Sequence, residues 1–131
     1  MTKDNINKIY SSAHYSFFDK IILNKRLVIL DVVKNFLKDK NIQDVLDIGS
    51  TGDDNNISSN FIIKNLGEYK TYKSISDQDI GLNFFSNKLK KSITENFSEE
   101  DIVSFKSDLV ISNATIEHVG SFENQTKMCD N

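Results

Sequence analysis

The stretch Val45-Leu46-Asp47-Ile48-Gly49-Ser50-Thr51-Gly52-Asp53 decides the fold. Its first four residues are a short apolar run carrying one acid. Polar residues bound the run and it stops at a glycine, the pattern of a strand buried on both faces of a parallel sheet. Gly49 removes a Cβ where the backbone must turn sharply and approach a ligand. Asp47 is placed to anchor that loop by accepting backbone N–H bonds, or to bond a cationic ligand group. By itself the stretch also fits a plain strand terminator.

Downstream, after a polar loop from Ser50 to Asn56, Ile57, Phe61, Ile62 and Leu66 recur at helical spacing, with Gly67 at the place of a C-cap glycine. Thr71 to Ser76 is rich in β-formers and reads as the second strand, closing a βαβ unit from Val45 to Ser76. Asp108-Leu109-Val110-Ile111-Ser112-Asn113 is the next clear strand, apolar enough for burial on both faces. Between them, Leu82, Phe84, Phe85 and Leu89 suggest a helix, Lys91 to Thr94 a short strand, and Glu99 to Phe105 a further helical turn or two. Ser121 is placed to cap a helix that includes Phe122. Upstream, Phe18, Ile22, Ile29, Val33 and Phe36 form an apolar stripe. It predicts one long or broken helical segment from about Ala13 to Lys38, with Asn24 as the weak point, preceded by a polar, frayed start over residues 1–12.

Alternating helices and strands with apolar strands imply an α/β fold with a parallel sheet and right-handed crossovers. Ligands in such sheets bind beyond the carboxyl ends of the strands, at the switch point, so the residues after Ile48, Ile75 and Ile111 are the ones to inspect.

Composition removes several function classes. The 131 residues suit one core. No apolar run approaches the ~18–20 residues that span a bilayer, so no membrane interaction of that kind is expected. Lys3, Asp4, Lys8 and Asp19 interrupt the start, which lacks the apolar block of a secretory signal, and a cytoplasmic protein is expected. A single cysteine, Cys129, excludes a disulfide framework and a cysteine-rich zinc site. Net charge is −3, and the 16 basic residues are scattered among 19 acidic ones with Arg26 the only arginine, which argues against nucleic-acid binding.

The three strand ends, taken together, resemble the class I S-adenosylmethionine-dependent methyltransferases. Val45-Leu46-Asp47-Ile48-Gly49 is similar to the family's first motif, and Asp108-Leu109-Val110-Ile111 through Glu117-His118-Val119 to a later strand and its following segment in the small-molecule methyltransferases. The likeness covers about residues 43–128. It implies a Rossmann-like sheet of about four strands with flanking helices, over residues 41–131, preceded by the helical segment of residues 1–40. It also implies S-adenosyl-L-methionine as cofactor and a small-molecule substrate.

By the same resemblance, Asp47, Gly49 and Ser50 form the loop under the methionine part of the cofactor. Asp77 accepts the ribose hydroxyls, Ile93 packs on adenine and Asn113 lines the amino-acid end. His118 lies on the substrate side as a general base or positioning group, roles open to an imidazole side chain.

Each residue has a plainer alternative. Asp77 is also a turn acid beside Asp79, Asn113 also a turn residue and His118 also an ordinary hydrogen-bonding histidine. Tyr10, His14 and Tyr15 are placed either to lid a pocket or to join the core. The family pattern has a glycine where Thr51 stands, with Gly52 next to it. The family fold also continues with three further strands and a helix, whereas this sequence stops at Asn131. The expectation is thus a fragment or a truncated product whose strand from Asp108 to Asn113 lies at an open edge and promotes self-association. A non-catalytic, cofactor-binding remnant is the alternative function. A nicotinamide-dependent oxidoreductase fits less well, because the third and sixth positions counted from Gly49 are Thr51 and Asp54 and not glycines.

Overall fold

The computed structural model describes residues 17–52, 58–113 and 115–130. The expectations for residues 1–16, including Tyr10, His14 and Tyr15, and for Ile57 lie outside the described residues. Helix α1 (Phe17–Leu37) leads into β1 (Asp44–Ile48), α2 (Phe61–Asn65), β2 (Thr71–Ser76), β3 (Asn87–Lys90), α3 (Glu99–Phe105), β4 (Leu109–Ser112), a 3-10 turn (Ile116–His118) and α4 (Phe122–Asp130). The four strands form one sheet in the order β3-β2-β1-β4, and every neighbouring pair is parallel. The fold is therefore an α/β, Rossmann-like arrangement with flanking helices and an N-terminal helix. No helix among the described residues is long and apolar enough to cross a membrane.

Strand β1 is central, with Val45 and Leu46 buried on opposite faces. Val45 is in register with Tyr72 and Leu109, and Asp47 with Ser74 and Ile111, so these side chains share one face. That face carries the main core, where Leu23, Leu30 and Leu37 of α1 meet Phe61, Ile62 and Ile63 of α2 and Leu66 beyond it. The opposite face buries Leu46 and Ile75, and Lys73 on that face donates to the Lys106 carbonyl at the end of α3 (2.6 Å). The chain moves outward from β1 through β2 to β3, then returns across the sheet to β4, which makes the gap between β1 and β4 the switch point.

Helix α1 runs unbroken through Asn24, but its inward face is not the predicted stripe. Leu23, Leu30 and Leu37, seven residues apart, face the sheet; Val33 is partly buried, while Phe18 (74% exposed), Ile22 (45%), Ile29 (46%) and Phe36 (67%) point outward. A helix that is apolar on opposite sides supplies two equally good stripes, and only packing selects between them.

Residues 82–94 also fold differently from expectation. Leu82 and Phe85 are buried but not helical, and they plug the core from a turn. The third strand is Asn87–Lys90, not Lys91 to Thr94. Pairing with Lys73–Ser76 holds it, and the ladder closes where the Lys91 N–H meets the Ser76 carbonyl (2.8 Å). Among the described residues, strand β4 lies at one edge of the sheet. Leu109 and Ile111 pack toward the core while Val110 is 54% exposed, so only one face is covered. The other caps follow local chemistry. Ser98 forms a reciprocal capping box with Asp101 at α3, Ser121 Oγ accepts the Asn124 N–H (3.3 Å) at α4, and Gly67 follows α2 at a φ of 148°.

Candidate functional site

A cavity of about 580 Å³ opens at the carboxyl ends of β1, β2 and β4. Its volume lies within the usual range for small-molecule and cofactor sites, roughly 300–1,000 Å³. Asp47, Gly49, Ser50, Asp77, Ile93, Asn113 and His118 all line it. The seven positions come from four separate places in the chain, and parallel pairing brings them together because every strand ends on the same side of the sheet.

The turn after β1 is tightly built. Gly49 has a φ of 88°, and a Cβ there would overlap the Thr115 side chain, so both its conformation and its space call for glycine. The Gly49 N–H donates to the Ile75 carbonyl (2.8 Å), and Thr115 Oγ1 donates to the Ile48 carbonyl (2.9 Å), tying the turn to β2 and to the segment after β4. Gly52 provides a second close approach, since a Cβ there would stand 2.7 Å from the Asp79 carbonyl oxygen. Thr51 exchanges two bonds with the Asn60 amide (2.9 and 2.8 Å), and the Gly52 N–H donates to Gln78 Oε1 (3.1 Å). Asn60 itself is left-handed at a φ of 54°, a conformation asparagine tolerates.

Beneath the turn lies a buried hydroxyl chain. Ser50 Oγ donates to the Asp47 carboxylate, Ser74 Oγ donates to Ser50 Oγ (3.0 Å), and Ser76 Oγ donates to the Ser50 carbonyl (2.7 Å). Asp47 therefore anchors the loop through a side-chain hydroxyl. Asp47 is 5% exposed, and burial pushes its carboxyl pKa up from 3.8 to about 6, against the opposing pull of the Ser50 hydrogen bond. A carboxyl with a pKa of about 6 gains and loses its proton close to neutrality.

The remaining lining residues differ in exposure. Asp77 is exposed directly after β2, Asn113 is half-buried directly after β4, and Ile93 is buried three residues past β3. His118 is exposed at the end of the 3-10 turn. Lys91 also lines the cavity, but its ammonium is engaged by Asp101 (2.9 Å) and lies over the Phe97 ring (5.0 Å from its centroid). The hydrogen bonds from Lys91 and from the Ser98 cap hold the Asp101 carboxyl below its ordinary range.

Two site residues escaped sequence reasoning. Thr115 fills the space beside Gly49, and Arg26 reaches the cavity wall from α1. Arg26 is partly buried, its pKa lowered by that burial, and it has no ion pair or hydrogen bond among the described residues. Its being the only arginine was a usable signal; its direction was not, because α1 is apolar on both sides. At the far end of the sheet, Asp108 accepts the Gln43 and Asp44 N–H groups (2.9 and 3.0 Å), which lower its pKa, so it joins β4 to β1 and stands away from the cavity. No group of three or more potential metal ligands occurs among the described residues. No family model, curated protein or solved structure matches the chain.

Proposed function

We propose that the protein binds S-adenosylmethionine in this cavity and transfers its methyl group to a small-molecule acceptor. The observation that carries the proposal is the gathering of Asp47, Gly49, Ser50, Asp77, Ile93, Asn113 and His118 around one cavity at the switch point. The donor set fits the cofactor. The exposed Asp77 carboxylate offers two acceptor oxygens to a ribose diol, buried Ile93 an apolar surface to adenine, and Asn113 an amide to the amino-acid end. Arg26, at the cavity wall, supplies a planar cation suited to a carboxylate.

When bound, the cofactor would supply an activated methyl group for transfer to a nucleophilic acceptor. The chain's own task is alignment and exclusion of water. Gly49 and Ser50 hold the loop close to the ligand, and the buried hydroxyl chain keeps that loop rigid. His118, exposed at the cavity, takes the proton an acceptor hydroxyl or amine loses, or positions that acceptor. Calorimetry with S-adenosylhomocysteine tests the proposal. Saturable binding is expected, weakened about tenfold or more in Asp77→Ala through loss of a charge-assisted pair. Absence of binding would overturn it, and binding without methyl transfer to any acceptor would make the protein a non-catalytic cofactor-binding unit.

A further inference from the structure

We infer that the outward face of α1 is a self-complementary dimer seam on which a second copy of this chain packs antiparallel. Phe18, Ile22, Lys25, Ile29, Val32 and Phe36 follow one another at spacings of four, three, four, three and four, the a/d repeat of a two-helix seam. The five apolar members are 45–74% exposed, although the same helix already buries Leu23, Leu30 and Leu37 on the sheet. With Ile21 and Val28 also exposed beside them, they leave on the order of several hundred Å² of accessible apolar surface, on a scale where a whole aromatic side chain accounts for about 150–250 Å². A typical monomer's largest apolar patch is about 300–600 Å², and a standard interface takes about 800 Å² from each partner.

The arrangement of residues selects the occupant. About a two-fold axis at Leu27, Phe18 meets the partner's Phe36, Ile22 meets the partner's Val32, and Lys25 meets the partner's Ile29. Every a position then faces a d position, and the aromatic rings close both ends. Lys25 is the one charged member of the seam; its methylene stem covers the partner's Ile29 while the ammonium reaches solvent at the edge. A lone polar residue at such a position fixes register and orientation at some cost in stability.

Analytical ultracentrifugation of the full chain at micromolar concentrations tests the seam. A dimer is expected, and Ile29→Glu with Val32→Glu is expected to raise its dissociation constant more than about 100-fold, because two charges would be buried without partners. In a Cys129→Ser background, Phe18→Cys combined with Phe36→Cys is expected to form an intermolecular disulfide on mild oxidation. Either cysteine alone is expected to give far less, since an antiparallel pair separates like positions. This second measurement decides the matter if the glutamate variant does not fold. A monomeric wild type would overturn the proposal, leaving the face to another partner. So would a dimer that survives both glutamates but dissolves with Val110→Lys at the sheet edge, or single cysteines that cross-link as well as the pair.

Discussion

Replacing Asp47 by asparagine keeps the shape of the buried side chain and removes its titration. In the native state the carboxyl has a pKa of about 6 against an ordinary 3.8, and burial is the larger cause. Between those two values the native state holds more protons than the unfolded chain, so stability falls as pH rises. The neutral carboxyl's advantage is fully present below the ordinary value and is lost as pH climbs through about 6. At 1.36 kcal/mol per unit, the whole penalty of ionising Asp47 is about 3 kcal/mol.

Between about pH 4.5 and about pH 7.5 the change amounts to roughly 2 kcal/mol, because part of the window lies below the lower limit. Asparagine retains an oxygen for the Ser50 hydroxyl but adds an amide donor, a pH-independent cost of about 1–2 kcal/mol. Urea unfolding of wild type and Asp47→Asn across this range isolates the term, since all other titrations cancel in the difference. The variant should gain about 2 kcal/mol on the wild type from the acid end to the alkaline end. A difference that stays constant to within about 0.5 kcal/mol would refute the assignment of a buried, readily protonated carboxyl.

Removing the opposing hydrogen bond with Ser50→Ala should move the same transition to higher pH, followed by the Asp47 carboxyl signal in a pH titration by NMR. Gly49→Ala combines a left-handed φ of 88° with a Cβ that overlaps Thr115, so a loss of about 2–4 kcal/mol is expected in urea unfolding, and Thr115→Ala should recover part of it. Ser98→Ala removes the α3 capping box and should cost about 1 kcal/mol, visible as a lower unfolding midpoint with unchanged ligand binding. Asp77→Ala, by contrast, should leave the unfolding midpoint within about 0.5 kcal/mol of wild type, since the residue is exposed, while weakening S-adenosylhomocysteine if the proposed ribose contact holds.

The sequence by itself determined the parts of this protein whose signal is local. Val45 to Ile48 and Thr71 to Ser76 read as strands because β-branched and apolar residues crowd a short span between polar stretches, and strand they are. Gly49 announced a turn, and the order of elements implied a parallel sheet whose strand ends gather residues distant in the chain. Only the tertiary structure decided which side of α1 is inside. Phe18, Ile22, Ile29 and Phe36 repeat as well as Leu23, Leu30 and Leu37 do, and periodicity reports that a face exists without saying what it touches.

Strand β3 was equally out of reach. Asn87-Lys88-Leu89-Lys90 has no strand propensity worth the name and extends because β2 offers it a row of hydrogen-bonding groups. The same holds at the site. The burial that raises Asp47, the hydroxyl chain through Ser50, Ser74 and Ser76, the fit of Thr115 against Gly49 and the reach of Arg26 into the cavity all depend on which strands and helices become neighbours. That information lies in the register between segments rather than within any one of them.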